Sequence, residues 1–292
     1  MKIHKLLLGL VVVILLQSCA VKKLTTEGEA AYMEGNYTSA LDALGEVIEK
    51  RENAGKKAQA EIYYMAGISA YELGNFQEAR EYLEAAEREG YSSPDLFASL
   101  ASIYQQVDNL SKEITALESY KAKFPGGENI DTITTRLFET YVESENWKLA
   151  YDLWTVIEDQ AMTDVGLMEG YLKTNKQLEN NKISDEMAVK ILEMDPENIT
   201  ALQWNANKYF WMAENMYVTE MKAYKNNRTR SQYKKLLKAW DKIWPYFRQS
   251  RDYYKKLYYI QPDPMYAEYL ETIYKRMDKP DKVAFWREKV KK

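Results

Sequence analysis

The sequence predicts an all-α protein built as a solenoid of antiparallel helix pairs. Three observations carry this reading. Beyond residue 24, apolar residues recur at helical spacing, and no alternating Val/Ile/Thr runs of the strand type occur. Glycine and proline are sparse, 12 and 7 in 292 residues, and they fall between the periodic stretches. The breaks also repeat: a turn followed by a large apolar residue returns about every 34–39 residues, the sign of a stacked repeat.

The units read in order. Glu34-Gly35-Asn36-Tyr37-Thr38-Ser39-Ala40-Leu41 is echoed by Leu73-Gly74-Asn75-Phe76-Gln77-Glu78-Ala79-Arg80. Asp108-Asn109-Leu110-Ser111-Lys112-Glu113-Ile114 and Glu145-Asn146-Trp147-Lys148-Leu149-Ala150 follow. Small or apolar residues precede the turns (Ala66-Gly67 with Tyr71, Ala101 with Tyr104), and Leu83, Ala86, Trp154 and Ile157 follow them. Phe124-Pro125 and Met194-Asp195-Pro196 close units, because Pro cannot continue a helix. Residues 159–198 fit less well: Asn180-Asn181 replaces the glycine turn, and the second helix there is expected to be short.

The last section departs from the spacing. Helical sequence runs from Ile199 to about Ala223, breaks at Asn226-Asn227, resumes from Arg230 to Ile260 and closes at Pro262. This predicts one pair stretched into a long hairpin, with a kink at Pro245 inside Trp244-Pro245-Tyr246-Phe247. Pro264–Met277 and Pro280–Lys292 are expected to cap the stack.

The spacing and residue pattern resemble the tetratricopeptide repeat (TPR). The resemblance implies a right-handed solenoid in which the first helix of each pair lines a concave groove. The groove residues it implies are Tyr64, Ile68, Tyr71 and Glu72, then Asp95, Ser102, Gln105 and Gln106, then Glu139 and Glu143, then Asn207 and Trp211. TPRs that clamp a terminal carboxylate use Lys and Arg in the groove. This face is expected to lack them, so a basic or neutral extended segment is the expected partner. The Pro-Tyr-Phe stretch at 245–247 resembles the terminal unit of many envelope TPR proteins.

The start of the chain has a different character. Lys2 and Lys5 precede an eleven-residue apolar run, Leu6 to Leu16, and Leu16-Gln17-Ser18-Cys19 follows. The run is too short to span a bilayer, which takes about 20 residues, and it matches a secretory h-region. The order basic, apolar, small, Cys resembles a bacterial lipoprotein signal peptide with Cys19 as the acylated residue. Gln17 departs from the small residue usual at its position. The resemblance implies a signal peptide over 1–18, a lipidated linker over 19–26 and an outer-membrane anchor facing the periplasm, with the cell surface or inner membrane as alternatives. The expected organisation then continues with an acidic solenoid over 27–198 and a basic, aromatic-rich section over 199–292.

Cys19 is the chain's one Cys and His4 its one His. Past residue 19 there is neither, which removes Ser-His-Asp and Cys-His catalysis and His-based metal or haem sites. No cofactor is expected and no enzyme. The surviving enzymatic alternative is a two-carboxylate glycan hydrolase on Glu139 and Glu143, one helical turn apart.

The net charge of −4 conceals an asymmetry. From Leu24 to Met221 there are 16 Lys and Arg against 36 Asp and Glu; from Lys222 to Lys292 there are 20 against 8. Behind a signal peptide, this basic section points away from nucleic acid and towards anionic envelope material, set against a solvated face that balances the acidic end. Its aromatics (Trp204, Trp211, Trp240, Trp244, Tyr246, Tyr253, Tyr254, Tyr269) are expected chiefly as core between long helices. Asp131-Thr132-Ile133 resembles a bacterial O-glycosylation site. Together these features lead to a membrane-anchored, non-enzymatic scaffold that binds envelope proteins. The alternative is an accessory protein that takes a glycan or lipid on the basic aromatic section.

Overall fold

Helix ends explain most of the architecture, which is a computed structural model describing residues 20–291. Among these the chain is helical, with no strand. The signal segment 1–18, His4 and Cys19 lie outside the described residues. Two compact units divide between Ser144 and Glu145. The first holds α1 (20–33), α2 (Tyr37–Asn53), α3 (Ala60–Glu72), α4 (Phe76–Arg88), α5 (Pro94–Gln106), α6 (Leu110–Lys123) and α7 (Ile130–Glu143). The second holds α8 (Trp147–Ala161), α9 (Val165–Gln177), α10 (Asn181–Met194), α11 (Ile199–Asn226), α12 (Arg230–Ile260), α13 (Pro264–Arg276) and α14 (Pro280–Val290).

The turns inside helix pairs share one backbone device. One residue sits in the left-handed region: Gly35, Gly74, Asp108, Glu179 and Asp278 at φ 72°, 78°, 53°, 59° and 54°. The amide of the next residue then reaches back five positions: Asn36 to Ala31, Asn75 to Ala70, Asn109 to Tyr104, Asn180 to Asn175 and Lys279 to Tyr274, at 2.8–3.0 Å. This closure satisfies carbonyls that the helix end leaves unpaired. The side chains of Asn36 and Asn109 then cap the following helix, accepting from the amides of Ser39 and Lys112. At Gly74 nothing lies within 4 Å of where a Cβ would stand, so the backbone angle, not crowding, favours glycine there.

Small residues let paired helices approach. A Cβ on Gly67 would stand 2.7 Å from Leu83 Cγ and 3.1 Å from the Leu83 amide nitrogen, so α3 lies directly against α4. Ala66, Ala70, Ala79 and Ala86 are fully buried beside it. Proline opens helices as well as closing them: Pro94, Pro264 and Pro280 stand in the first turns of α5, α13 and α14, where a missing N–H costs nothing.

Two expectations need correcting. Residues 20–26, expected as a linker, are helical and form the first part of α1. The helix expected to be short after Asn180 is α10, with 14 residues against 13 in α4. Glu179 adopts the left-handed angle without being glycine, so the turn closes and the helix runs to full length.

The expected long hairpin is present as α11 and α12, 28 and 31 residues. Helix α12 runs through Pro245 without a break. Large side chains fill the wider space between the long helices and α13. Tyr254 stacks on Tyr269 at 4.5 Å, and Phe210 meets Tyr269 and Phe247 edge-on. Ser250 Oγ donates to the Ala206 carbonyl at 2.9 Å, fixing the two long helices where both residues are small.

Candidate partner-binding surface

In the first unit the expected groove residues divide into buried and open sets. Tyr64 and Ile68 of α3 are each 8% exposed and belong to the packing. The Tyr64 ring stacks on Tyr91 at 4.2 Å and meets Tyr32 of α1 edge-on. Burial pushes its hydroxyl well above the ordinary tyrosine value. Tyr71 is half-buried and donates to Ser102 Oγ at 3.0 Å, tying α3 to α5. Glu72, Asp95, Gln105 and Gln106 are exposed. The open part of this face is therefore polar, and it lies at the C-terminal ends of α3 and α5 and the start of α5. Asp131 and Thr132 stand exposed in the first turn of α7, with Ile133 buried behind them.

Glu139 and Glu143 do not form a free acid pair. Arg136, one and two turns earlier on α7, reaches both: Nη1 lies 3.3 Å from Glu139 Oε2 and 2.9 Å from Glu143 Oε1. Its Nε also donates at 2.7 Å to Glu113 of α6, a carboxylate buried almost completely. Thr140 Oγ1 donates to the same carboxylate at 3.2 Å. Burial alone would lower the guanidinium's pKa, but the bonds to Glu113 and Glu143 outweigh it and raise the value. The expectation that this face lacks a cation is thus corrected. One arginine is present, and three carboxylates consume its charge. The surface beside it stays acidic, and an acid–base pair for glycan hydrolysis would have to work with both members bound to a cation.

A cleft of about 260 Å³ opens between α4, α5 and α6. Phe97, Leu100 and Tyr104 give it an apolar side, and Glu84, Arg88 and Lys112 a charged rim. Glu84 accepts from Tyr104 Oη and Lys112 Nζ, both at 2.7 Å. Burial opposes ionisation of Glu84, yet these two bonds hold its carboxyl below the usual carboxylate range. Sequence reasoning missed this cleft, because α4 and α6 are second helices of their pairs and the groove was sought on first helices. It missed Arg136 too, although Arg136 is the one cation of α7.

In the second unit, Asn207 is occupied structurally: Oδ1 accepts from Tyr254 Oη at 2.7 Å and Nδ2 donates to the Gln203 carbonyl. Trp211 is 51% exposed, its ring edge-on to Phe210. Of the other aromatics expected as core, Tyr254 is buried in it and Trp240, Trp244, Tyr246, Tyr253 and Tyr269 pack partly buried against it, while Trp204 bonds through Nε1 to Asp185. Among the described residues no group of three or more acids, His or Cys is placed to hold a metal ion. No helix of these residues is long and apolar enough to cross a membrane.

The family model of the tetratricopeptide repeat matches residues 25–94 and 64–128. No curated protein matches the sequence. Among solved structures, the C-terminal part of a TPR repeat-containing protein from Cytophaga hutchinsonii is 16% identical, with 90% of this chain and 92% of that chain covered and a TM-score of 0.50. A putative protein binding protein from Bacteroides ovatus is 18% identical over 68% of this chain and 100% of its own, at 0.48. YrrB, described as a TPR protein with an unusual peptide-binding site, is 18% identical over 63% and 96%, at 0.46. The Cytophaga likeness extends the shared fold over both units.

Proposed function

We propose that this chain, whose residues 25–128 match the tetratricopeptide-repeat family model, is a non-enzymatic scaffold that binds proteins in a bacterial cell envelope. One observation carries the reading. The first helices of the hairpins expose polar residues (Glu72, Gln105, Gln106), and on α7 the acids Glu139 and Glu143 outnumber Arg136, the cation that binds them. Such a face suits an extended, basic or neutral segment of a partner protein. The chain past Cys19 supplies no His or Cys for catalysis. The basic, apolar, Cys order at residues 2–19 supports anchoring by lipid on Cys19, at the periplasmic side of the outer membrane.

The test is site-specific photo-cross-linking in cells of the native species. A cross-linker at Gln106 is expected to capture an envelope protein that one at the exposed Val156 of α8 does not. Equal products from the two positions would sink the groove reading. Separately, Cys19→Ala should release the protein from the membrane fraction while its helical circular dichroism is unchanged. Retention in the membrane would remove the lipid anchor from the proposal.

A further inference from the structure

The outer half of the long hairpin has a charge pattern unlike the rest of the molecule. Arg276 of α13 grips α11 at Glu214 and against the ring of Tyr217. From there α11 runs nine more residues to Asn226, about 13 Å. Between residues 221 and 240 the sequence carries Lys222, Lys225, Arg228, Arg230, Lys234, Lys235 and Lys238, and no acid. All seven are exposed, and none forms an ion pair with another described residue. Some cations elsewhere in this unit are paired, as Lys208 is with Asp185 and Arg287 with Glu271.

Apolar side chains stand exposed among these charges. Val218 on α11 is 49% exposed, and Tyr233 and Leu237, one turn apart on α12, are 44% and 40% exposed. Leu236 is buried, so the two helices still pack together at this level. The cations belong to both helices and to the loop between them. On α12, Arg230, Lys234 and Lys238 share one side, and Lys235 stands a quarter-turn away.

From this placement we infer that the hairpin tip docks on an anionic lipid surface. A peptide or an extended acidic segment is best met by a groove with charge along one side. Charges that surround a projecting tip fit a continuous plane of negative headgroups, and four to eight basic residues on a helical segment suffice for that attraction. Lysine stems and the Tyr233 ring suit the headgroup level, where an apolar body and a polar end are both satisfied. This surface is separate from the polar face of the first unit, so the inference stands or falls independently of the scaffold reading.

The test is co-sedimentation of the full chain with phosphatidylcholine vesicles, with and without phosphatidylglycerol. The apolar segment 6–16 adds the same background to both, so the readout is the preference for phosphatidylglycerol. Each cation removed should reduce that preference about fivefold, and Lys234→Ala/Lys235→Ala/Lys238→Ala together about a hundredfold. Alanine is the best helix former, and unchanged circular dichroism would show that α12 persists. Lys→Arg at the same three positions should retain binding. The control Lys173→Ala/Lys176→Ala/Lys190→Ala, on exposed faces of α9 and α10, should leave it unchanged. No preference for phosphatidylglycerol, or a preference untouched by the α12 triple variant, overturns the inference. It is overturned equally if polyglutamate or duplex DNA binds through these lysines while phosphatidylglycerol vesicles do not.

Discussion

Turns before residue 91 and turns after it have the same backbone and different residues. Among the described residues the four glycines at positive φ (Gly35, Gly55, Gly74 and Gly90) lie before residue 91. The non-glycine residues at positive φ are Asp108, Glu145, Glu179 and Asp278. Asn75 and Asn180 nevertheless close their turns with the same five-residue bond. The closure is dictated by the carbonyls that a helix end leaves unpaired, and glycine is merely the residue that adopts its angle without strain. The family model match ends at residue 128, about one repeat past Gly90 and beyond the non-glycine turn at Asp108, while the hairpins continue.

The units differ in core as well, and this sets the largest expected effect. In the first unit α3 and α4 meet through Gly67 and a set of alanines; in the second, rings fill much of the core shared by α11, α12 and α13. Phe247 is fully buried against Phe210 and Trp244. Phe247→Ala should cost about 4 kcal/mol, because a large cavity between two rigid helices cannot collapse. The midpoint of urea unfolding followed by tryptophan emission measures it, since all seven tryptophans lie beyond residue 144. A loss below about 1 kcal/mol would mean that the aromatic layer is loosely packed.

Arg136 should come next. Arg136→Met leaves the buried Glu113 without its cation, which should cost about 3 kcal/mol. Replacing Glu113 by Gln in the same chain should restore part of the loss, as the uncompensated charge is then gone. Chemical denaturation followed by circular dichroism reads both. If the double variant is no better than the single, the cluster acts through packing and not through charge.

The order of the helices was legible because it rests on period and punctuation. Asn226-Asn227 marked the tip of the long hairpin, and Pro264 and Pro280 marked the starts of α13 and α14. Residues 20–26 were misread because Val21, Leu24 and Thr25 give a short stretch no decisive period. The binding face was harder to read. Helical spacing places Tyr64 and Ile68 on the same face as Glu72, but their burial depends on Tyr32 and Tyr91, which only the stacking of turns and helices brings to them. The ties of Glu113, Glu139 and Glu143 to one arginine likewise span two helices.

A smaller effect should appear on raising the pH, in both units, since burial raises Tyr254 of the second as well. Burial pushes the hydroxyl of Tyr82 up to about 12, with nearby Glu78 adding to the shift, and raises Tyr64, Tyr104 and Tyr141 as well. The folded state therefore favours the neutral phenols. Their contribution is intact below the ordinary tyrosine value near 10 and is lost as pH rises towards 12. Helical circular dichroism at a fixed intermediate urea concentration should fall across that window, and fall less in Tyr82→Phe. A flat profile would mean that these hydroxyls ionise without cost to the fold.

The smallest effects test the turns themselves. A non-glycine residue in the left-handed region carries a steric cost of about 1 kcal/mol, partly offset by the greater freedom glycine has when unfolded. Glu179→Gly should therefore stabilise the second unit, by somewhat less than about 1 kcal/mol, seen as a higher urea midpoint in tryptophan emission. Gly74→Ala should destabilise the first by about 1 kcal/mol, seen in circular dichroism. Space is not at issue at Gly74, since a Cβ there meets nothing within 4 Å. The two substitutions must therefore have opposite signs if backbone angle alone distinguishes the turns. Loss of stability in Glu179→Gly would show that the glutamate side chain contributes something beyond filling the position, and that the second unit's turns are selected for it.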